Sequence, residues 1–159
     1  VLHALLLSLL LAATPQTAQV VAVHDGDTIT VKFDGHTEKV RLVGIDSPEL
    51  QDERQAYRDA GYAARDYARL RLGGETVTLE PEPRQKDRDT YGRLLRYVIL
   101  DDGTNVNEEF VRKGYARVYD KFQFTLKPRF KAAEAEAKSE QLGVWKLPPG
   151  RPRQVPSTR

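Results

Sequence analysis

A chain of 159 residues is long enough for one domain with a real core and too short for two ordinary ones. Charged residues make up 30% of it, yet the net charge is only +2, which excludes a disordered polyelectrolyte and a histone-like basic protein; a nucleic-acid partner would have to be met by a local basic patch. The absence of cysteine removes thiolate nucleophiles, zinc ribbons and disulfide frameworks, and three histidines argue against an imidazole-rich metal site.

The chain opens on an apolar run, Leu2 to Ala13, too short to cross a bilayer and followed by the polar "TPQTAQ". Residues 1–18 are read as a secretory signal peptide, which predicts a secreted or periplasmic protein. A buried N-terminal helix fits less well, because the run has no polar face.

From Val20 the pattern alternates with period two through "VVAVH", "DTITVKF" and "TEKVRLVGI", separated by Asp25-Gly26 and Asp34-Gly35. Asp-Gly between alternating segments signals a hairpin, so a three-stranded meander is expected. Tyr57 to Leu72 has helical spacing and stops at Gly73-Gly74. "ETVTLEP" and "GRLLRYVIL" read as further strands around the charged loop "PEPRQKDRDTY". "NVNEEFVRKG" reads as a short helix with Asn105 as N-cap, Glu108 three residues on and Gly114 past its end. A short strand at "YARVY" and a last helix over residues 128–142 follow, and the tail 148–159 is proline-rich and expected to be disordered. The order of elements predicts an α+β domain built on a closed five-stranded barrel of the OB type.

Chemistry concentrates in the meander. Counted back from Ile29, Val31 and Phe33, Asp27 falls on their face; counted back from Val43 and Ile45, Arg41 falls on theirs. Both charges are therefore expected to point into the barrel or its mouth, where each needs a partner or water. An Asp27–Arg41 salt bridge is one solution. Asp25, Asp46 and Glu49 leave a surplus of carboxylates, however, and a surplus of anionic oxygen suits a hard divalent cation, calcium or magnesium. Pro48 biases Ser47 toward an extended conformation that could aim its backbone carbonyl at the same ion.

"DGDT", "RLVGIDSPE", "DTYGR" and "LGVW" stand in the order and approximate spacing of the staphylococcal nuclease (thermonuclease) family, which the chain resembles from Val20 to Trp145. The resemblance implies an OB-fold barrel with three α-helices over about residues 19–147. It implies that Asp27 and Asp46 are calcium ligands and that Ser47 stands where a threonine lends its carbonyl. Glu49 matches the general base, Arg41 and Arg93 match the arginines that hold the scissile phosphate, and Tyr91 matches a tyrosine near the nucleotide. The activity implied is a calcium-dependent nuclease acting as a monomer, without stable membrane association, on single-stranded or loosened DNA and on RNA, leaving 3′-phosphates and 5′-hydroxyls. The alternative is a non-catalytic nucleic-acid or protein-binding module. Where the family carries a tyrosine pair, this chain has "VYDKFQF", offering Tyr119, Phe122 and Phe124. Thr90 replaces a lysine, leaving Arg84, Lys86 and Arg88 to attract the substrate backbone.

Overall fold

The computed structural model describes residues 14–149. The run Leu2 to Ala13 and residues 150–159 of the expected tail lie outside the described residues. Strands β1 (Gln16–Val23), β2 (Thr28–Phe33) and β3 (His36–Leu42) form the meander, followed by β4 (Ile45–Asp46) and helix α1 (Gln55–Leu72). Strands β5 (Thr76–Pro81) and β6 (Leu94–Ile99), helix α2 (Val106–Arg112), strand β7 (Arg117–Val118) and helix α3 (Lys127–Ser139) complete the order, with a 3₁₀ turn at Gly143–Lys146. The barrel is closed in the order β1-β2-β3-β6-β5, and β5 pairs back onto β1. Its β3–β6 seam is parallel and short, running only from Val40 opposite Leu94 to Leu42 opposite Arg96. An α+β OB-type barrel with three helices is thus what the sequence pattern forms.

Alternation explains the barrel interior. Ile29 and Val31, Val40 and Leu42, Val77 and Leu79 are all essentially buried, while Lys32, Lys39 and Thr37 on the intervening positions reach solvent. Strand β1 begins at Gln16, before the segment whose alternation marks it. Gln16 to Gln19 pair with Leu79 to Thr76, and Ala18 is buried, so part of "TPQTAQ" belongs to the barrel.

Two Asp-Gly pairs that look alike in sequence do different work. Asp34 and Gly35 both take positive φ, 49° and 79°, as a tight turn between β2 and β3 requires. Gly26 has no positive φ; the β1–β2 connection is longer, and this glycine is there for room. A Cβ at Gly26 would lie 2.7 Å from the Cβ of Ser47 and 2.8 Å from that of Ala64. Similarly, Gly61 on α1 lies against the carbonyls of Pro48 and Glu49. Gly61, Ala64, Ala68 and Leu72 form the buried face of α1, so its small residues bring the helix onto the Asp25–Asp27 turn and the Pro48–Glu49 corner together.

"TEKVRLVGI" is not one strand. Gly44, at φ 78°, ends β3 and restarts the chain as β4, which pairs with β7. The Phe124 ring occupies the space where a side chain at 44 would stand, 2.7 Å from an ideal Cβ. Behind the barrel, Phe110, Val111, Phe124, Phe130 and Ala133 make the core shared by α2 and α3. Asn105 caps α2 through the N–H of Glu108, as its sequence position predicts.

Candidate active site

The bend at Gly44 changes which way Arg41 faces. Parity counted back through Val43 and Ile45 is out of phase across the bend; in β3 itself Val40 and Leu42 face the core, and Arg41 stands opposite Thr28 on the other face. The expectation that Arg41 points into the barrel interior is therefore corrected. Its side chain is still well covered, at 15% exposure, by the loops that meet at the start of β2.

Arg41 is the hub of the site. Its Nε lies 3.2 Å from Oδ1 of Asp27, its Nη2 3.6 Å from Oδ1 of Asp46, and its Nη1 donates to the Leu42 carbonyl at 2.8 Å. The Asp27–Arg41 bridge read from the sequence is thus present, with Asp46 added to it. Asp27 is buried and fully engaged: Oδ2 accepts from the N–H (2.8 Å) and hydroxyl (3.1 Å) of Ser47, and Oδ1 from the Thr28 hydroxyl (3.1 Å). These bonds fasten the start of β2 to the end of β4, twenty residues on.

Arg93 arrives from the other side of the parallel seam. Asp89 shapes its turn, with Oδ1 accepting the N–H groups of Tyr91 (2.9 Å) and Arg93 (3.0 Å) and Oδ2 accepting from Nε of Arg93 at 2.7 Å. Nη1 of Arg93 then reaches the Thr28 hydroxyl at 3.4 Å. A continuous line of contacts runs Arg93–Thr28–Asp27–Arg41–Asp46, with Asp27 at its centre and Thr28 joining Arg93 to it. Thr28 was missed as a site residue by the sequence reading, because its place opposite Arg41 appears only in the strand register.

Tyr91 is 83% exposed, with its ring centroid 5.3 Å from the guanidinium carbon of Arg93. It therefore joins the site through Arg93. Glu49 is exposed, three residues after Asp46 in the corner packed on Gly61. The aromatic candidates separate clearly. Phe124 is buried core, while Tyr119 follows β7 beside the strand that carries Asp46, with its ring 5.7 Å from that of the half-exposed Phe122.

Asp25 accepts the N–H of Asp27 at 2.9 Å and so caps the turn. Burial and the charge of Asp27 push its carboxyl above the ordinary range. Among the described residues, no three Asp, Glu, His or Cys side chains are already arranged as a metal cage. The donor set is nevertheless of the type a hard cation takes, since two carboxylates converge on one guanidinium with a third behind them. The residues present fit a cation of this class.

Residues 39–147 match the family described as staphylococcal nuclease homologue. The chain belongs to that family. Family members similar to it include a thermonuclease of Staphylococcus hyicus, 33% identical over 134 residues that cover 84% of this chain and 78% of that protein. An uncharacterized endonuclease of Escherichia coli is 37% identical over 127 residues, covering 80% and 75% of the two chains. An uncharacterized protein of Methanocaldococcus jannaschii is 34% identical over 146 residues, covering 80% and 70%. The family match begins inside β3, after Asp27, so the carboxylate at the centre of the contact line rests on the geometry described above.

Proposed function

We propose that the protein is a calcium-dependent nuclease that hydrolyses phosphodiester bonds of DNA and RNA to 3′-phosphate and 5′-hydroxyl ends. The observation that carries this reading is the contact line Arg93–Thr28–Asp27–Arg41–Asp46, which draws two guanidinium forks and two carboxylates from three separate motifs into one place. Membership in the nuclease family, with relatives named thermonuclease and endonuclease, supports it.

In this reading Arg41 and Arg93 bind the scissile phosphate. Guanidinium forks match phosphoryl oxygens bidentately and stay charged at any working pH. Asp27, Asp46 and the Ser47 carbonyl would hold calcium, which when bound supplies further positive charge against the phosphoryl oxygens. Glu49, exposed to solvent and next to this corner, accepts the proton of a water that attacks phosphorus in line. The bond from phosphorus to the 5′ oxygen breaks, and that oxygen takes up a proton to leave as the hydroxyl. Asp89 holds Arg93 by its Nε and leaves the terminal nitrogens toward Thr28 and the substrate. Tyr91 lies beside the nucleotide, and the surface pair Tyr119 and Phe122 offers faces for a base, a contact worth roughly 1–3 kcal/mol.

The deciding experiment is degradation of single-stranded DNA and of RNA with calcium, with magnesium and with chelator. Calcium-dependent cleavage leaving 3′-phosphate ends is the expected result. Binding without cleavage under every metal condition would overturn the proposal and favour a binding module. The apolar run Leu2 to Ala13 supports export as part of the same reading, with cleavage ahead of Gln16, since β1 starts there.

A further inference from the structure

Arg88 was expected among the loop cations that attract the substrate backbone, but its guanidinium is already engaged within the protein. Nη1 and Nη2 donate to Oε2 and Oε1 of Glu38 at 2.8 and 2.9 Å, a bidentate fork across to β3. Nη1 also donates to the Gly92 carbonyl at 2.8 Å. An exposed pair of this kind, with Arg88 at 43% exposure, adds only about 0–1 kcal/mol to stability. Its position matters more than its energy.

The parallel seam between β3 and β6 begins at Val40 opposite Leu94. Glu38 lies two residues before Val40 on β3, and Arg88 stands opposite Leu94 in an isolated bridge. The ion pair therefore prolongs the seam by one step beyond its last backbone pair. What it prolongs the seam onto is the turn that ends in Tyr91, Gly92 and Arg93. Asp89 fixes that turn from within, and Arg88 fixes the Gly92 carbonyl to the strand that carries Arg41. Arg96, buried under the same loop, pairs with Asp87 at 2.7 Å and anchors its beginning.

We propose that Glu38 and Arg88 are positioning residues for Arg93, holding its turn in register with the β3 strand so that the two phosphate-binding arginines face one another at a fixed separation. This inference rests on the assignment of Arg41 and Arg93 to the phosphate. Neither residue of the pair touches the reacting atoms.

The test compares Glu38→Gln, Arg88→Met and the charge-reversed double variant Glu38→Arg/Arg88→Glu with the wild type, in calcium, on single-stranded DNA. Both single variants should lower kcat by about tenfold or more, since a 1 Å misplacement of such a group can cost 10²-fold, with KM and the melting temperature little changed. The double variant restores the ion pair but not the donor to the Gly92 carbonyl, so it should recover a clear part of the loss and not all of it. A second readout needs no turnover: exchange of the Tyr91 and Arg93 amide hydrogens should speed up in both single variants and slow again in the double. If Arg88 instead binds the phosphate backbone, Arg88→Met raises KM, Glu38→Gln lowers it, and the reversal rescues nothing; that pattern overturns the proposal. Wild-type protein that cleaves no nucleic acid would defeat the nuclease assignment, and unchanged amide exchange in the variants would then defeat the positional claim on its own.

Discussion

At the scale of single residues, the site is made of side chains whose partners are fixed before substrate arrives. Asp27 accepts bonds on both oxygens, Asp89 holds Arg93 at two donors and Tyr91 at a third, and Arg41 spends one nitrogen on a backbone carbonyl. Glu49 differs in being exposed to solvent, which suits the proposed general base. Glu49→Gln should lower kcat by about 10²–10⁴-fold, the usual contribution of general base catalysis, with the thermal melt within a degree or two of wild type. Unaltered turnover would remove Glu49 from the mechanism. Gly26→Ala tests the opposite kind of residue, one with no chemistry and no room. Its new methyl must push on Ser47 and Ala64, at a cost of about 1–3 kcal/mol typical of overpacking. Because Ser47 is what Asp27 binds, activity should fall beyond what the lost stability explains; the comparison is between urea midpoint and kcat of folded protein.

At the scale of elements, short and irregular pieces carry the candidate site and the long barrel strands carry the fold. The site is assembled from the start of β2, the two-residue β4, and a turn before β6, each held from outside by α1 or by an ion pair. Helix α1 can come close only because Gly61 and Ala64 are small. The first residues of β1 are the exposed end of this architecture. A protein beginning at Gln19 lacks the pairs of Gln16, Thr17 and Ala18 with β5, and Ala18 is a buried residue. Such a protein should unfold at lower urea than one beginning at Gln16, and N-terminal sequencing of an exported form should find a start no later than Gln16. At the other end of the chain, Asn105→Ala removes the acceptor for the Glu108 N–H and should cost about 1 kcal/mol.

At the scale of the whole molecule, buried polar groups tie the layers together. Asn107 on α2 accepts from the Val98 N–H and donates to the carbonyls of Val43 and Arg96, joining a helix to both strands of the parallel seam. Glu82 accepts from Thr125 and Tyr97, and Glu109 accepts from Tyr67 and Arg71 to hold α1 on α2. Burial works against the charged forms of Glu82 and Glu109, but these hydrogen bonds bring both carboxyls below the usual range. The Arg88 hydrogen bond lowers Glu38 in the same direction, and Arg54 brings Asp52 down to about 2. A carboxyl depressed in the folded state stabilises it above its unfolded value of about 4 and loses that contribution as pH falls through its folded value. Asp25, raised by burial and Asp27, acts in the other direction, favouring the folded state while it stays protonated. The depressed groups outnumber it, so the urea midpoint should drop as pH is lowered from about 5 toward 2. Glu109→Gln should flatten that slope; an unchanged slope would show that the network does not titrate with folding.

The sequence by itself determined the barrel, the three helices and which side chains could form a phosphate and cation site, because alternation, caps and the motif carboxylates are local in the chain. Composition alone also argued against thiolate, zinc-ribbon and imidazole-rich sites. Tertiary structure decided what depends on contacts between distant residues. The bend at Gly44, where positive φ and the Phe124 ring leave room only for glycine, split one apparent strand into two and put Arg41 on the opposite face. Thr28 became the link between the two arginines only once the β2–β3 register placed it opposite Arg41. Arg88 read as a loop cation for the substrate backbone, and its fork to Glu38, fifty residues earlier, came only with the fold. Asn107, Glu82 and Arg96 are likewise buried charges and amides whose partners no local pattern identifies. Period and capping are properties of a few consecutive residues, whereas satisfying a buried polar group is a property of the packed chain, and much of this site is built from the second kind.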